Sequence, residues 1–431
     1  MTLKIGYLIP EFPSQTHIFF WREVEALVGM NVTPQLVSTR SPRRALISHS
    51  WAAEARSQTE YLFPPKVRTA LGAVWALFRA GPAGWWRGLM TLAGSEGSAY
   101  ARLRMMPFLL AGAELAWLAR RRGWAHVHVH SCGNSANIAL FAHRLSGLSY
   151  SLTLHGPLTD YGPNQKQKWA HSAFALVITR RLRKEVEDEL GGFLPPVIEL
   201  APMGVGLNRF PAPRAPQPWS GSGPCRLFAC GRLNPSKGHD DLIRAVAELR
   251  HQGIDAHLHI AGEDDTGGGY RQLLETLRSE LGLTENVKLL GAVSEETVRA
   301  ELEAAHVFAL ASLEEPLGVA IMEAMAMKVP VVVTGAGGVA ELVDDGVDGL
   351  LTAPRDVHQM SEALLKVLRD PHLALQLSEA GRRKIETSFH SGVSAEVLRR
   401  CILNSTGPWS RGVEPRLERS QNDDFPAGQR R

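Results

Sequence analysis

Leu227-Phe228-Ala229-Cys230-Gly231-Arg232-Leu233-Asn234-Pro235-Ser236-Lys237-Gly238 opens the second half of the chain. An apolar strand, Leu227–Cys230, runs into a loop with a glycine at each end. A helical pattern over Asp240–Gln252 follows, with Asp240 expected as its cap. The same unit then repeats. Strands His257–Ala261, Val287–Leu290, Val307–Ala311 and Val329–Thr334 precede helices Tyr270–Leu281, Glu295–Ala305, Leu317–Met327 and Val339–Asp344. A short strand Gly349–Thr352 and a helix Val357–Leu368 close the series. Short apolar strands alternating with helices of this length imply a parallel sheet covered on both faces, an α/β fold.

The first half has the same character. Lys4–Ile9, His126–His130 and Ser151–Leu154 read as strands, and Ile18–Val28 and Asn137–Leu145 as helices. A chain of 431 residues is long for one core. The expected division is 1–210, a proline-rich linker over 211–224, and 225–384. A helix about 385–404 is expected to return onto the first domain, and 405–431 reads as a disordered tail. Two such domains face a cleft, with ligands beyond the C-terminal ends of the strands.

Composition narrows the function classes. Lys and Arg number 47 against 44 Asp and Glu, a net charge of +3, which does not suggest a nucleic-acid binder. Four scattered cysteines without a CxxC pair suggest neither a disulfide framework nor a zinc ribbon, and fit a reducing cytoplasm. The N-terminus reads as a strand rather than a signal peptide, and no apolar run reaches membrane-spanning length. Charge is uneven, however. Residues 66–122 hold nine Lys/Arg against Glu96 and Glu114, a local +7, and six of ten Trp lie between Trp51 and Trp124.

Two constellations carry chemistry. Arg232 and Lys237 project from a strand-end loop, where a guanidinium can grip phosphate with two bonds and an ammonium adds compact charge. A solvated turn with two surface cations is the plain alternative, and the GxxxxGK[ST] spacing of a P-loop is absent. Downstream stands Glu315-Pro316-Leu317-Gly318-Val319-Ala320-Ile321-Met322-Glu323-Ala324-Met325-Ala326. Pro316 suits a helix start. Glu323 follows Glu315 by two helical turns, and its apolar neighbours require a partner for it. Between them a helix N-terminus offers free amides to phosphate. Carboxylates for hydroxyls and cations for phosphate together describe a nucleotide sugar.

These residues, with Val329-Pro330-Val331-Val332-Val333-Thr334-Gly335-Ala336-Gly337-Gly338-Val339-Ala340-Glu341-Leu342 beyond them, resemble the retaining GT-B glycosyltransferases of family GT4. Phe12-Pro13-Ser14-Gln15-Thr16-His17-Ile18 and Ser151-Leu152-Thr153-Leu154-His155-Gly156 resemble a bacterial exopolysaccharide, colanic-acid-type subgroup. The resemblance spans about residues 1–400. It implies two Rossmann-like domains, acceptor-side first and donor-binding second. It implies that Arg232 and Lys237 neutralise the donor diphosphate, Glu315 bonds the transferred sugar and Glu323 the ribose. Amides of Leu317, Gly318 and Val319 would add phosphate contacts, and His155 would reach the donor sugar. Pro316 and Leu317 stand where the family has Gly and Phe, and Gln15 where the subgroup has Glu.

The implied activity is a retaining hexosyltransferase (EC 2.4), independent of metal and cofactor. Its donor is UDP- or GDP-linked and its acceptor a glycan, lipid-linked, in exopolysaccharide or cell-surface synthesis. A small soluble or glycolipid acceptor, or a non-catalytic nucleotide-sugar-binding protein, are the alternatives. The basic Trp-rich segment 66–122 reads either as an ordinary helical face or as a peripheral contact with an anionic membrane at the inner face of the plasma membrane. Three other patterns are set aside. Gly335-Ala336-Gly337-Gly338-Val339-Ala340 matches a dinucleotide fingerprint formally but leaves Arg232, Lys237 and Glu315 without a role. His126, His128 and His130 share a strand face too widely spaced for zinc, and Asp264-Asp265 reads as a strand-end loop rather than a metal site.

Overall fold

A computed structural model of the chain describes residues 2–42, 49–211 and 218–405. Part of the expected linker (212–217) and nearly all of the expected tail (406–431) lie outside the described residues. The fold is α/β with two all-parallel sheets. The first comprises β1 (Leu3–Glu11), β2 (Val32–Arg40), β3 (Glu60–Phe63), β4 (His126–His130), β5 (Tyr150–Leu154), β6 (Ala175–Val177) and β7 (Ile198–Leu200). The second comprises β8 (Cys225–Cys230), β9 (Ala256–Ala261), β10 (Val287–Gly291), β11 (Val307–Leu310), β12 (Val331–Thr334) and β13 (Leu350–Thr352).

Strand order is β3-β2-β1-β4-β5-β6-β7 in one sheet and β10-β9-β8-β11-β12-β13 in the other. In each, order reverses beside the first strand, so the loops leaving β1 and β4, and those leaving β8 and β11, diverge around a crevice. The inner strands β4, β5, β11 and β12 are buried throughout, as covering on both faces requires.

The chain passes between the sheets twice, and the two passages touch. Val205 N–H donates to Phe389 O at 2.9 Å and Ser391 N–H to Val205 O at 3.0 Å. Gly204 is needed there, since a Cβ would sit 2.3 Å from the His390 carbonyl carbon. Instead of one helix about 385–404 there are two, Pro371–Ser388 and Ser391–Ser405, broken at this crossing. The second lays Ala395, Leu398, Cys401 and Ile402 into the core that holds Ile5, Tyr7 and Trp21. Asp240 is not a cap. Gly238 holds that position, and the Asp240 carboxylate accepts from Tyr270 Oη and Arg244 instead.

Candidate active site

The loop after β8 is fixed by backbone geometry. Leu233 N–H donates to Glu263 O at 2.8 Å, and the Asn234 side chain caps the short turn Pro235–Lys237. Gly238 takes φ +60°, where a Cβ would lie 1.9 Å from Ala311 O. Only glycine lets this loop lie against the end of β11. The result brings the Lys237 ammonium onto the Glu315 carboxylate, with about one-eighth of each side chain exposed (13% and 12%). Arg232 stands on the rim, half exposed, with Nη1 2.7 Å from Asp265 Oδ2. Asp264 is used locally: it accepts from the Thr266, Gly268 and Arg271 amides at the start of helix Gly269–Glu280.

The loop after β11 departs from expectation. The helix begins at Val319, three residues beyond Pro316, because Gly318 at φ +102° and ψ +71° keeps the backbone out of the helical region. Gly318 and Val319 line the cleft, but Leu317 is buried, 1% exposed, in the hydrophobic core. The formal dinucleotide fingerprint has another use. Gly338 N–H donates to Glu315 O at 2.8 Å. A Cβ on Gly337 would sit 2.2 Å from Glu315 O, and one on Gly338 2.0 Å from Pro316 O. These glycines let the loop after β12 press against the backbone that carries Glu315.

Glu323 is already paired. Arg22, from helix Ile18–Gly29 of the first domain, places Nη2 2.7 Å from Glu323 Oε1 and 2.7 Å from Glu295 Oε2. The guanidinium is wholly buried, so one cation holds two carboxylates of the second domain across the interface. Burial raises the Glu323 pKa, against the lowering effect of Arg22. The ribose-binding role expected of Glu323 therefore has to coexist with this bridge. Arg22 was not singled out in the sequence, although a cation between Trp21 and Val24 on an apolar helix was a signal for it.

His155 lines the cleft just beyond β5, with Phe19 and Phe20 rings 5.3 Å away. Its Nε2 is 3.0 Å from His130 Nδ1, while its Nδ1 is buried without a hydrogen-bond partner. Behind it, His130 Nε2 is 3.2 Å from Glu23 Oε2, which accepts from Tyr7 Oη at 2.6 Å. Burial holds His128, His130 and His155 well below the usual histidine range, with neighbouring histidines adding to the effect. His155 is therefore neutral at physiological pH. The three β4 histidines do not form a metal triad among themselves. His126 and His128 bond Ser149, Ser151 and Thr153 hydroxyls, which occupy both nitrogens of each ring. Glu23, His128 and His130 do come within 4.8 Å of one another, a grouping across two elements that strand spacing alone could not show.

The loop after β1 completes the wall. Gln15 Nε2 donates to Val293 O at 2.8 Å across the domains, and His17 Nδ1 lies 2.9 Å from Glu11 O. Together these elements enclose a cleft of ≈590 Å³ that includes Gln15, His155, Arg232, Lys237, Glu315 and Glu323. A larger recess of ≈810 Å³ by Trp219, Arg226 and Lys328 contains none of the expected site residues.

Two Rossmann-like domains facing a crevice are the architecture of GT-B, and solved structures match that fold over more than nine-tenths of the chain. The Anabaena protein HepE in complex with UDP and glucose superposes with TM-score 0.70, 15% identity, and coverage of 93% of this chain and 100% of that one. Residues 220–384 match the family model described as Glycosyl transferases group 1. A GDP-mannose-dependent alpha-(1-6)-phosphatidylinositol monomannoside mannosyltransferase of Mycolicibacterium smegmatis is 37% identical over 43% of this chain and 50% of its own length. A 2-deoxystreptamine glucosyltransferase of Streptomyces kanamyceticus is 29% identical over 67% of this chain and 82% of its own length. The match to the first of these relatives thus spans half its length.

Proposed function

We propose that the chain is a retaining, metal-independent glycosyltransferase that moves a sugar from a UDP- or GDP-linked donor to a lipid-linked glycan in bacterial exopolysaccharide or cell-surface synthesis, at the cytoplasmic side. The observation that carries the donor half is the Lys237–Glu315 pair beside the Gly318–Val319 backbone, with Arg232 on the rim. A diphosphate entering the crevice takes over Lys237 and draws Arg232 from Asp265, while the helix amides meet further phosphate oxygens. Glu315, released from Lys237, accepts hydroxyls of the sugar. As the glycosidic C–O bond breaks, negative charge grows on the diphosphate where these fixed cations and dipoles already point, so stabilisation needs no rearrangement at that moment. His155, neutral and with Nδ1 unpartnered, is positioned as a hydrogen-bonding partner for the sugar.

The lipid-linked acceptor is supported by the mannosyltransferase relative, whose name specifies a phosphatidylinositol-based acceptor. A small soluble acceptor is the second reading, favoured by the 2-deoxystreptamine glucosyltransferase, which matches over more of its length. The test is donor hydrolysis and transfer with UDP- and GDP-sugars. Wild type should release nucleoside diphosphate, and Lys237→Ala and Glu315→Ala should each reduce turnover by about 10²-fold or more, the scale of losing one preorganised electrostatic group. Tight nucleoside diphosphate binding with no turnover of any donor would favour a non-catalytic binding protein instead.

A further inference from the structure

Helix Val67–Ala93 is built inside out. Its inward face is small: Gly72, Gly84 and Gly88 are buried. A Cβ on Gly72 would lie 2.3 Å from Trp117 Cδ2, and one on Gly84 2.7 Å from Leu145 O. The glycines thus seat the helix tightly on helices Met106–Arg122 and Asn134–Ser146, and this docking sets which side faces out. Leu77 and Leu92 pack inward, but the other large apolar side chains are on that outer side. Leu71, Trp75 and Phe78 follow one another at helical spacing and are 67%, 43% and 85% exposed. Beyond the kink at Gly81–Pro82, Trp86, Leu89 and Met90 continue the apolar surface, Trp86 at 66% exposed. An ordinary surface helix has the reverse arrangement, apolar in and polar out.

Charge specifies the occupant. No Asp or Glu occurs from Val67 to Ser95, whereas Arg68, Arg79 and Arg87 are exposed on the same helix. The Arg79 guanidinium lies 4.9 Å from the Trp75 ring centroid and that of Arg120 5.8 Å from it, so cations border the aromatic surface. No described helix is long and apolar enough to cross a membrane. We infer that this face docks flat on an anionic lipid bilayer, with Trp75, Phe78 and Trp86 entering the interface and the arginines meeting the head groups. This inference does not depend on the proposed chemistry, because the face is remote in sequence from Arg232, Lys237 and Glu315.

The test is co-sedimentation of the full chain with vesicles of phosphatidylcholine alone or with added phosphatidylglycerol, at low and high salt. Wild type should partition onto the anionic vesicles, less onto neutral ones, and less as salt rises. Trp75→Ser/Phe78→Ser/Trp86→Ser should lower the partition coefficient by about tenfold or more, since burying each side chain of this size contributes at least that order. Arg79→Gln/Arg87→Gln should remove the preference for anionic lipid and leave weak binding to neutral vesicles. Both variants should retain wild-type melting temperature and nucleotide binding. Absence of partitioning by wild type, or equal partitioning of wild type and the triple variant, overturns the inference. So does a wild-type dimer that the triple variant converts to monomer, which would assign the face to a second copy. Should the triple variant fail to fold, the arginine pair decides alone.

Discussion

Gly338→Ala tests how the site is held. The alanine Cβ would sit 2.0 Å from Pro316 O and 2.7 Å from Thr179 Cγ2, whereas real contacts essentially never fall below 3.0 Å. Backbone dihedrals at Gly338 (φ −90°, ψ 0°) suit any residue, so the conflict is purely one of space. Relief requires the Glu315–Pro316 segment to retreat by ~1 Å, and a displacement of that size at a reacting centre costs ~10²-fold in rate. Turnover should therefore fall by ~10²-fold, ~2.7 kcal/mol in the barrier, while overpacking removes only ~1–3 kcal/mol of stability. Gly335→Ala is the matched control, because the nearest atoms to its Cβ are 3.8 Å and 3.9 Å away. The assay is donor turnover of both variants beside their melting temperatures. Full activity in Gly338→Ala refutes the buttress. An equal loss in Gly335→Ala refutes it too, and would return the glycine run to a direct ligand role.

Two further outcomes follow from the buried charges. Arg22→Met leaves Glu323 without its cation and Glu295 with Arg209 alone, at 3.3 Å, and should destabilise by ~3–5 kcal/mol in chemical denaturation, with recovery in Arg22→Met/Glu295→Gln/Glu323→Gln; no recovery would mean Arg22 acts by packing against Phe210. The second outcome concerns acid. Burial lowers His126 to about 3 and His239 to about 4, with His128, His130 and His155 also well below the ordinary 6.5. The folded state refuses protons that the unfolded chain accepts, so this stability is complete above 6.5 and is lost as pH falls towards the folded values. Each histidine contributes a loss of about 1.4 kcal/mol per pH unit in that window. Melting temperature should drop steeply below about pH 6.5, and a flat profile through that range contradicts the burial argument.

The alternation of strands and helices was legible in the second half because each strand is a continuous apolar run and each helix an amphipathic one. Leu227–Cys230 and Val307–Ala311 differ from the observed strands by no more than two residues at either end. The α/β class and its GT-B form followed. Helix starts were less legible. Pro316 carries a strong start signal, but the left-handed backbone at Gly318 overrides it, and a conformation of that kind depends on what the loop packs against. The same limit applies to Glu323. Its need for a partner could be read from its apolar neighbours, but Arg22 lies 301 positions away and meets it only when the domains close. On β4, alternate histidines looked like a widely spaced set. The hydroxyl partners of His126 and His128 come from Ser149, just before the next strand, and from Ser151 and Thr153 on it, 23 to 25 positions along. The charge of segment 66–122 was visible in composition. Its inverted face was not, since that depends on Gly72 and Gly84 meeting Trp117 and Leu145.

The central claim is that the crevice at Lys237, Glu315 and Gly318 binds the diphosphate of a nucleotide sugar. Thermal unfolding with UDP, GDP, ADP and their sugars tests it most directly, because a ligand at about 100 times its Kd stabilises the fold by ~2.7 kcal/mol. At least one nucleoside diphosphate should raise the wild-type melting temperature, and Lys237→Ala should abolish the shift while folding normally. No shift with any nucleotide, or an undiminished shift in Lys237→Ala, would contradict the account.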